Sequence, residues 1–153
     1  MKIKTVIDED FSNYKVPAMV VAFPSCSFKC GNTLCQNFRL RYSQDIEMSY
    51  EDIVKRYTNN FITHSIVLAG LEPFDSFKDM FNLILAIRDV SNDDVVIYTG
   101  YYSNEISEML DLIKVFPNII VKYGRYLPNQ KKHHDNVLGI DLASDNQYAE
   151  RLS

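Results

Sequence analysis

An α/β fold with a mostly parallel sheet is predicted by three features of this chain. Four short apolar runs, rich in Val and Ile, are distributed along it. Each ends at a turn or a glycine, and stretches of helical period separate one from the next. Runs that are apolar on successive residues suit parallel strands buried on both faces, and alternation of strand with helix is how such a sheet is wound.

The first run, Ala18-Met19-Val20-Val21-Ala22-Phe23, leads directly into a cysteine-bearing loop. The second, Ser65-Ile66-Val67-Leu68-Ala69, precedes Gly70; the third, Val95-Val96-Ile97-Tyr98-Thr99, precedes Gly100; the fourth, Ile119-Ile120-Val121-Lys122-Tyr123, precedes Gly124. Between the first two, Ser49-Tyr50-Glu51-Asp52 resembles a helix-capping signal, with Ile53 and Tyr57 on one face of a helix to about residue 60. Residues 75–89 repeat apolar side chains at three- and four-residue spacing through Phe77, Met80, Phe81, Ile84 and Ile87. Residues 103–116 do so through Ile106, Met109, Leu110 and Ile113 until Pro117-Asn118 stops them. Right-handed crossovers then give either an open doubly wound sheet or part of a β/α barrel, and in both the ligands gather at the C-terminal ends of the strands. The cysteine loop, Gly70-Leu71-Glu72-Pro73, Gly100-Tyr101-Tyr102 and Gly124-Arg125-Tyr126 are therefore expected on one rim. Beyond Leu127 the polar tract 128–135 is expected to be a solvated loop, and residues 139–148 to add a last strand or turn against the rim.

The chain has three cysteines, Cys26, Cys30 and Cys35, all in the first of these loops. Three thiolates hold three corners of an iron–sulfur cube and leave the fourth iron open for chemistry. A structural zinc site would need a fourth ligand, which His133 or His134 offers only from far downstream. A disulfide would strand one thiol, and no secretory signal is visible at Met1-Lys2-Ile3-Lys4, so a reducing, cytoplasmic setting is expected.

At 153 residues the chain fits one domain, 1–153, able to bury roughly two-thirds of its unfolded surface. With 46% hydrophobic and 24% charged residues it reads as an ordinary globular protein without a membrane span. A net charge of −4 gives no long-range attraction to a polyanion, so nucleic acid is a poor partner.

The cysteine loop, Gly70-Leu71-Glu72-Pro73 and Tyr98-Thr99-Gly100-Tyr101 together resemble the radical AdoMet superfamily. Within it, the chain is similar to the activating proteins of anaerobic ribonucleotide reductase. Their ending, a Gly-Arg-aromatic element before a Ser-Asn-Gln-like stretch, is matched by Gly124-Arg125-Tyr126 and Ser144-Asp145-Asn146-Gln147. The resemblance runs from about Met19 to Arg151 and implies an incomplete (β/α) barrel of mostly parallel strands. It implies a [4Fe–4S] cluster on Cys26, Cys30 and Cys35, with S-adenosylmethionine chelating the fourth iron. Gly70 and Glu72 match the element that receives the methionine amine, Tyr98 and Thr99 would lie near ribose or adenine, and the backbone around Leu34 and Gln36 would contact the adenine. The implied activity is reductive cleavage of S-adenosylmethionine and hydrogen abstraction from a glycine of a partner, a glycyl radical enzyme such as the large subunit of the anaerobic reductase. An electron donor such as flavodoxin or ferredoxin would serve it, and Tyr101, Tyr102 and Tyr126 would line the docking surface. Modification of another peptide or small molecule, or a non-catalytic iron–sulfur or zinc module, are the alternatives. Two departures stand out. Four residues rather than two separate Cys30 from Cys35, which is expected to bulge the loop, and Leu71 replaces the second glycine of the family element.

Overall fold

A computed structural model describes residues 1–28 and 30–153, without the side chain of residue 32. The chain opens with β1 (Lys2–Ile3), β2 (Thr5–Asp10) and β3 (Ala18–Phe23), then α1 (Gly31–Leu34), α2 (Phe38–Arg41) and β4 (Ile46–Glu47). It continues through α3 (Tyr50–Thr58), β5 (Ser65–Gly70), α4 (Phe77–Arg88), β6 (Asp94–Tyr98), α5 (Ser107–Ile113) and β7 (Ile119–Tyr123). The hairpin β8 (His133–Asp135) with β9 (Ile140–Leu142), and β10 (Tyr148–Arg151), complete it. Short 3₁₀ turns, Pro73–Ser76 and Ser103–Glu105, lead into α4 and α5.

The main sheet has the order β10-β7-β6-β5-β3-β2. Its four central strands are parallel, and β2 and β10 run antiparallel at the edges. The parallel strands follow one another in chain order, so every crossover steps in the same direction. Right-handed crossovers then place α3, α4 and α5 on one face, which excludes the doubly wound alternative.

Strand periodicity explains how both faces are buried. Met19, Val21, Phe23, Ile66, Leu68, Val95, Ile97, Ile119 and Val121 join Ile53, Met80, Leu83, Ile84, Ile87, Leu110 and Ile113 in the larger core, beneath the helices. The intervening Val20, Val67, Val96 and Ile120 pack on the other face against Tyr14, Leu138 and Leu142. That face is therefore plugged along its lower half by residues 12–17 and by the β8–β9 hairpin.

Of the predicted helices, α3 forms with its expected cap, whereas the one expected over 103–116 is a 3₁₀ turn followed by the shorter α5. The Ser49 Oγ accepts from the Asp52 N–H, and Ile53 and Tyr57 are buried. Residues 75–89 divide into a 3₁₀ turn and α4, because Pro73 fixes a turn before the helix can begin.

The polar tract 128–135 departs from expectation: His133–Asp135 is a strand rather than a solvated loop. Its reason is Asp135, buried, whose carboxylate accepts from the Val137, Leu138 and Ala149 N–H groups at 2.9–3.0 Å. That carboxylate ties the hairpin to β10. Among the described residues, no helix is long and apolar enough to cross a membrane.

Candidate iron–sulfur site

The upper half of the concave face opens into a cavity of about 810 Å³. Its walls come from the loops that follow the four parallel strands, the rim expected from sequence. Cys26, Cys30 and Cys35 line it, with Leu34 and Gln36 beside them. Gly70 and Glu72 enter from the β5 loop, and Tyr98 and Thr99 from β6. Lys122, Gly124 and Arg125 enter from β7 and the loop after it. All nine candidate residues thus face one space.

The three thiols are partly exposed and unpaired with one another. Residues between Cys30 and Cys35 form the single helical turn α1, closed by the Cys35 N–H donating to the Gly31 carbonyl at 3.1 Å. Gly31, at φ +69°, permits the sharp entry. The longer spacing is therefore taken up by a coil of about 1.5 Å rise per residue, and the two extra residues add little to the reach between the cysteines. Burial pushes the Cys26 thiol above its usual range, and the Glu72 and Asp75 carboxylates add to the effect.

Gly70 ends β5 at φ +100°, where a Cβ would lie 2.5 Å from the Phe23 backbone nitrogen. Its carbonyl accepts from Asn37 Nδ2 at 2.7 Å, which fastens the segment after the third cysteine to the β5 rim. Leu71, in the place of the family's second glycine, donates its N–H to the Phe23 carbonyl at 3.1 Å.

Glu72 is buried, and both of its carboxylate oxygens are engaged. Oε1 accepts from the Thr99 hydroxyl at 2.7 Å and the Phe74 N–H at 3.2 Å, and Oε2 accepts from the Gly100 N–H at 2.8 Å. Desolvation outweighs these bonds and pushes its pKa up to about 7. Thr99 accepts in turn from the Tyr101 N–H at 3.0 Å. Glu72 and Thr99 therefore brace the β5 loop against the β6 loop. The Tyr98 hydroxyl donates to the Asn13 carbonyl at 2.6 Å, so this side chain holds residues 12–17 against the sheet and offers the cavity its ring.

Sequence reasoning missed Lys122. It is buried on the cavity side of β7, 7% exposed, with Nζ donating to the Gly124 carbonyl at 3.1 Å and lying 5.7 Å from the Tyr98 ring centroid. Burial pushes its pKa down to about 8, against a smaller opposing pull from Glu72. A single charge inside an otherwise apolar strand run was the available signal.

The donor set suits an iron–sulfur cluster, because thiolates are the ligands such clusters take and three of them line one cavity. Neither histidine offered as a zinc ligand lines it: His133 lies in β8, and His134 pairs with Asp141 at 3.0 Å. Among the described residues, no trio of His, Cys, Asp or Glu is gathered tightly enough to hold a single metal ion.

Comparison with curated proteins and with solved structures gave no match. A family model does match, over residues 18–147, from the start of β3 to the end of the tail segment that closes the cavity. The stretch covers most of the chain and includes the three cysteines and every strand of the parallel sheet. The chain belongs to the 4Fe-4S single cluster domain family, and an iron–sulfur cluster-binding domain is its coarse identity.

Proposed function

We propose that this chain is a radical AdoMet enzyme that generates a glycyl radical on a partner protein, as the activating proteins of anaerobic ribonucleotide reductase do. The observation that carries the reading is the single cavity joining the three-thiol loop to the C-terminal ends of the parallel strands. Its volume lies within the range that accommodates a nucleoside-sized ligand. The one-directional winding, with α3, α4 and α5 together on one face, also suits an incomplete (β/α) barrel.

Cys26, Cys30 and Cys35 would hold three irons, leaving the fourth for the amine and carboxylate of S-adenosylmethionine. The bound cluster would supply the single electron that splits the sulfonium into methionine and a 5′-deoxyadenosyl radical. That radical would take the Cα hydrogen of a partner glycine, giving 5′-deoxyadenosine and a backbone radical.

The chain's own residues would bind and orient. The Gly70 carbonyl accepts from Asn37 with one lone pair and would have the other for the ligand amine. Glu72 would act through its grip on Thr99 and Gly100, holding two rim loops in register. The Tyr98 ring and the backbone of Leu34 and Gln36 would flank the nucleoside, and the plugged lower half of the concave face would keep water from reaching it from below. A macromolecular partner fits an open rim, with Tyr101, Tyr102 and Tyr126 at its edge, and a flavodoxin or ferredoxin would serve as electron donor.

The test is anaerobic reconstitution with iron and sulfide, reduction, and chromatographic measurement of 5′-deoxyadenosine and methionine from S-adenosylmethionine. Addition of an anaerobic reductase large subunit should then yield a glycyl radical signal by electron paramagnetic resonance. A complete cluster that produces no 5′-deoxyadenosine would reduce the protein to a non-catalytic iron–sulfur module. Cleavage without a glycyl radical would point to another substrate.

A further inference from the structure

We propose that Phe28, Gly100, Tyr101 and Arg125 form a clamp that sets the cysteine loop in its cluster-holding shape before iron arrives. Phe28 lies between Cys26 and Cys30, and its ring is turned toward the rim. Its centroid is 4.6 Å from that of Tyr101, with the planes tilted by 56°. The Arg125 guanidinium lies 4.4 Å from the Phe28 centroid and also within cation–π range of Tyr101 and Tyr102. A salt bridge to Glu105 at 2.7 Å fixes that guanidinium, and Asn146 Nδ2 holds the Arg125 carbonyl at 2.8 Å.

The slot exists because residue 100 has no side chain. A Cβ there would lie 2.5 Å from Phe28 Cε2. One residue before Phe28, the Ser27 N–H donates to Asp75, and the Ser27 and Tyr101 hydroxyls are 3.0 Å apart. The Tyr101 hydroxyl donates to Asp75 Oδ1 at 2.7 Å. Loops after β5, β6 and β7 therefore all converge on Ser27 and Phe28, the two residues that follow Cys26. None of these contacts needs a ligand. A loop tied down in this way loses its conformational freedom on folding, so less remains to be lost when the cluster binds.

The inference rests on Cys26, Cys30 and Cys35 holding the cluster, and it is independent of any reaction with S-adenosylmethionine. Phe28→Ala empties the slot, Gly100→Ala fills it from the other side, and the double variant places the new methyl group where the ring had been. Each protein is reconstituted anaerobically. The loss of cluster absorbance to an iron chelator is timed, the reduced cluster's paramagnetic spectrum recorded, and the thermal midpoint of the cluster-free protein measured. Each single variant should lose its cluster about tenfold faster than wild type, with an altered spectrum and a cluster-free midpoint a few degrees lower, because the clamp already holds the cluster-free loop. The double variant should be no faster than Phe28→Ala alone. Wild-type rates in both single variants, or rate increases that multiply in the double, would overturn the clamp. So would cluster-free midpoints equal to that of wild type, which would show that the clamp forms only around the cluster. A wild-type chain that takes up no iron and sulfide would instead overturn the cysteine assignment beneath it.

Discussion

Replacing Lys122 by Met should stabilise the protein at neutral pH, although it removes a hydrogen bond. Burial has moved the lysine from its ordinary 10.5 to about 8, and each unit of such a shift corresponds to about 1.36 kcal/mol. The buried charge therefore costs about 3 kcal/mol at pH 7. Met keeps the length of the stem and fills the same space beside the Tyr98 ring. The Gly124 carbonyl is not orphaned by the change, because Gln147 Nε2 also donates to it at 3.1 Å. The sign with pH follows from the direction of the shift. Between about 8 and 10.5 the unfolded chain binds more protons at this site than the folded one, so the wild-type penalty is complete below pH 8 and fades as pH rises. Denaturant unfolding of both proteins at a series of pH values between 6 and 10 measures the difference, and groups shared by the two cancel. The expected result is a Met advantage of about 3 kcal/mol at pH 7 that shrinks towards pH 10. A Met variant less stable than wild type at pH 7, or an advantage that does not change with pH, would refute the reasoning.

Other perturbations have equally definite outcomes. Gly70→Ala forces a side chain into φ +100° and onto the Phe23 backbone, and should lower unfolding free energy by roughly 3 kcal/mol or more, as read by denaturant titration. Asp135→Ala strands three backbone N–H groups, and a loss on the order of 3 kcal/mol is expected, accompanied by faster amide exchange at Val137, Leu138 and Ala149. Cys30→Ala should abolish the visible absorbance of the reconstituted cluster while leaving the far-ultraviolet circular dichroism of the cluster-free protein unchanged. Ser49→Ala removes the α3 cap and should cost about 1 kcal/mol in thermal or chemical unfolding, with no effect on cluster content.

The parallel strands were legible because burial on both faces leaves no room for polar residues. Val20 and Val21, or Val95 and Val96, read as apolar whichever side they face. The edge strands were not legible for the opposite reason. β2 is Thr-Val-Ile-Asp-Glu-Asp and β10 is Tyr-Ala-Glu-Arg, neither with a fully buried residue, so their hydrogen bonds to β3 and β7 leave little mark on composition. Asp135 gives a sharper case. A buried carboxylate satisfied by three backbone donors looks in sequence like any solvated acid. At the site, the cysteines and Gly70 were visible as residue types with few other uses. Phe28 and Asn37 were not singled out, and Arg125 only as part of the Gly-Arg-aromatic element, because their roles consist of contacts with loops far away in the chain.

The floor beneath the cavity has a consequence for synthesis. Its side chains come from Tyr14 near one end and from Leu138 and Leu142 near the other. The ribosome therefore exposes the thiol-bearing loop long before it has made the segment that seals the chamber below. An iron–sulfur delivery factor that acted during translation would meet a bottomless vessel, so loading is best timed after the C-terminal hairpin has docked.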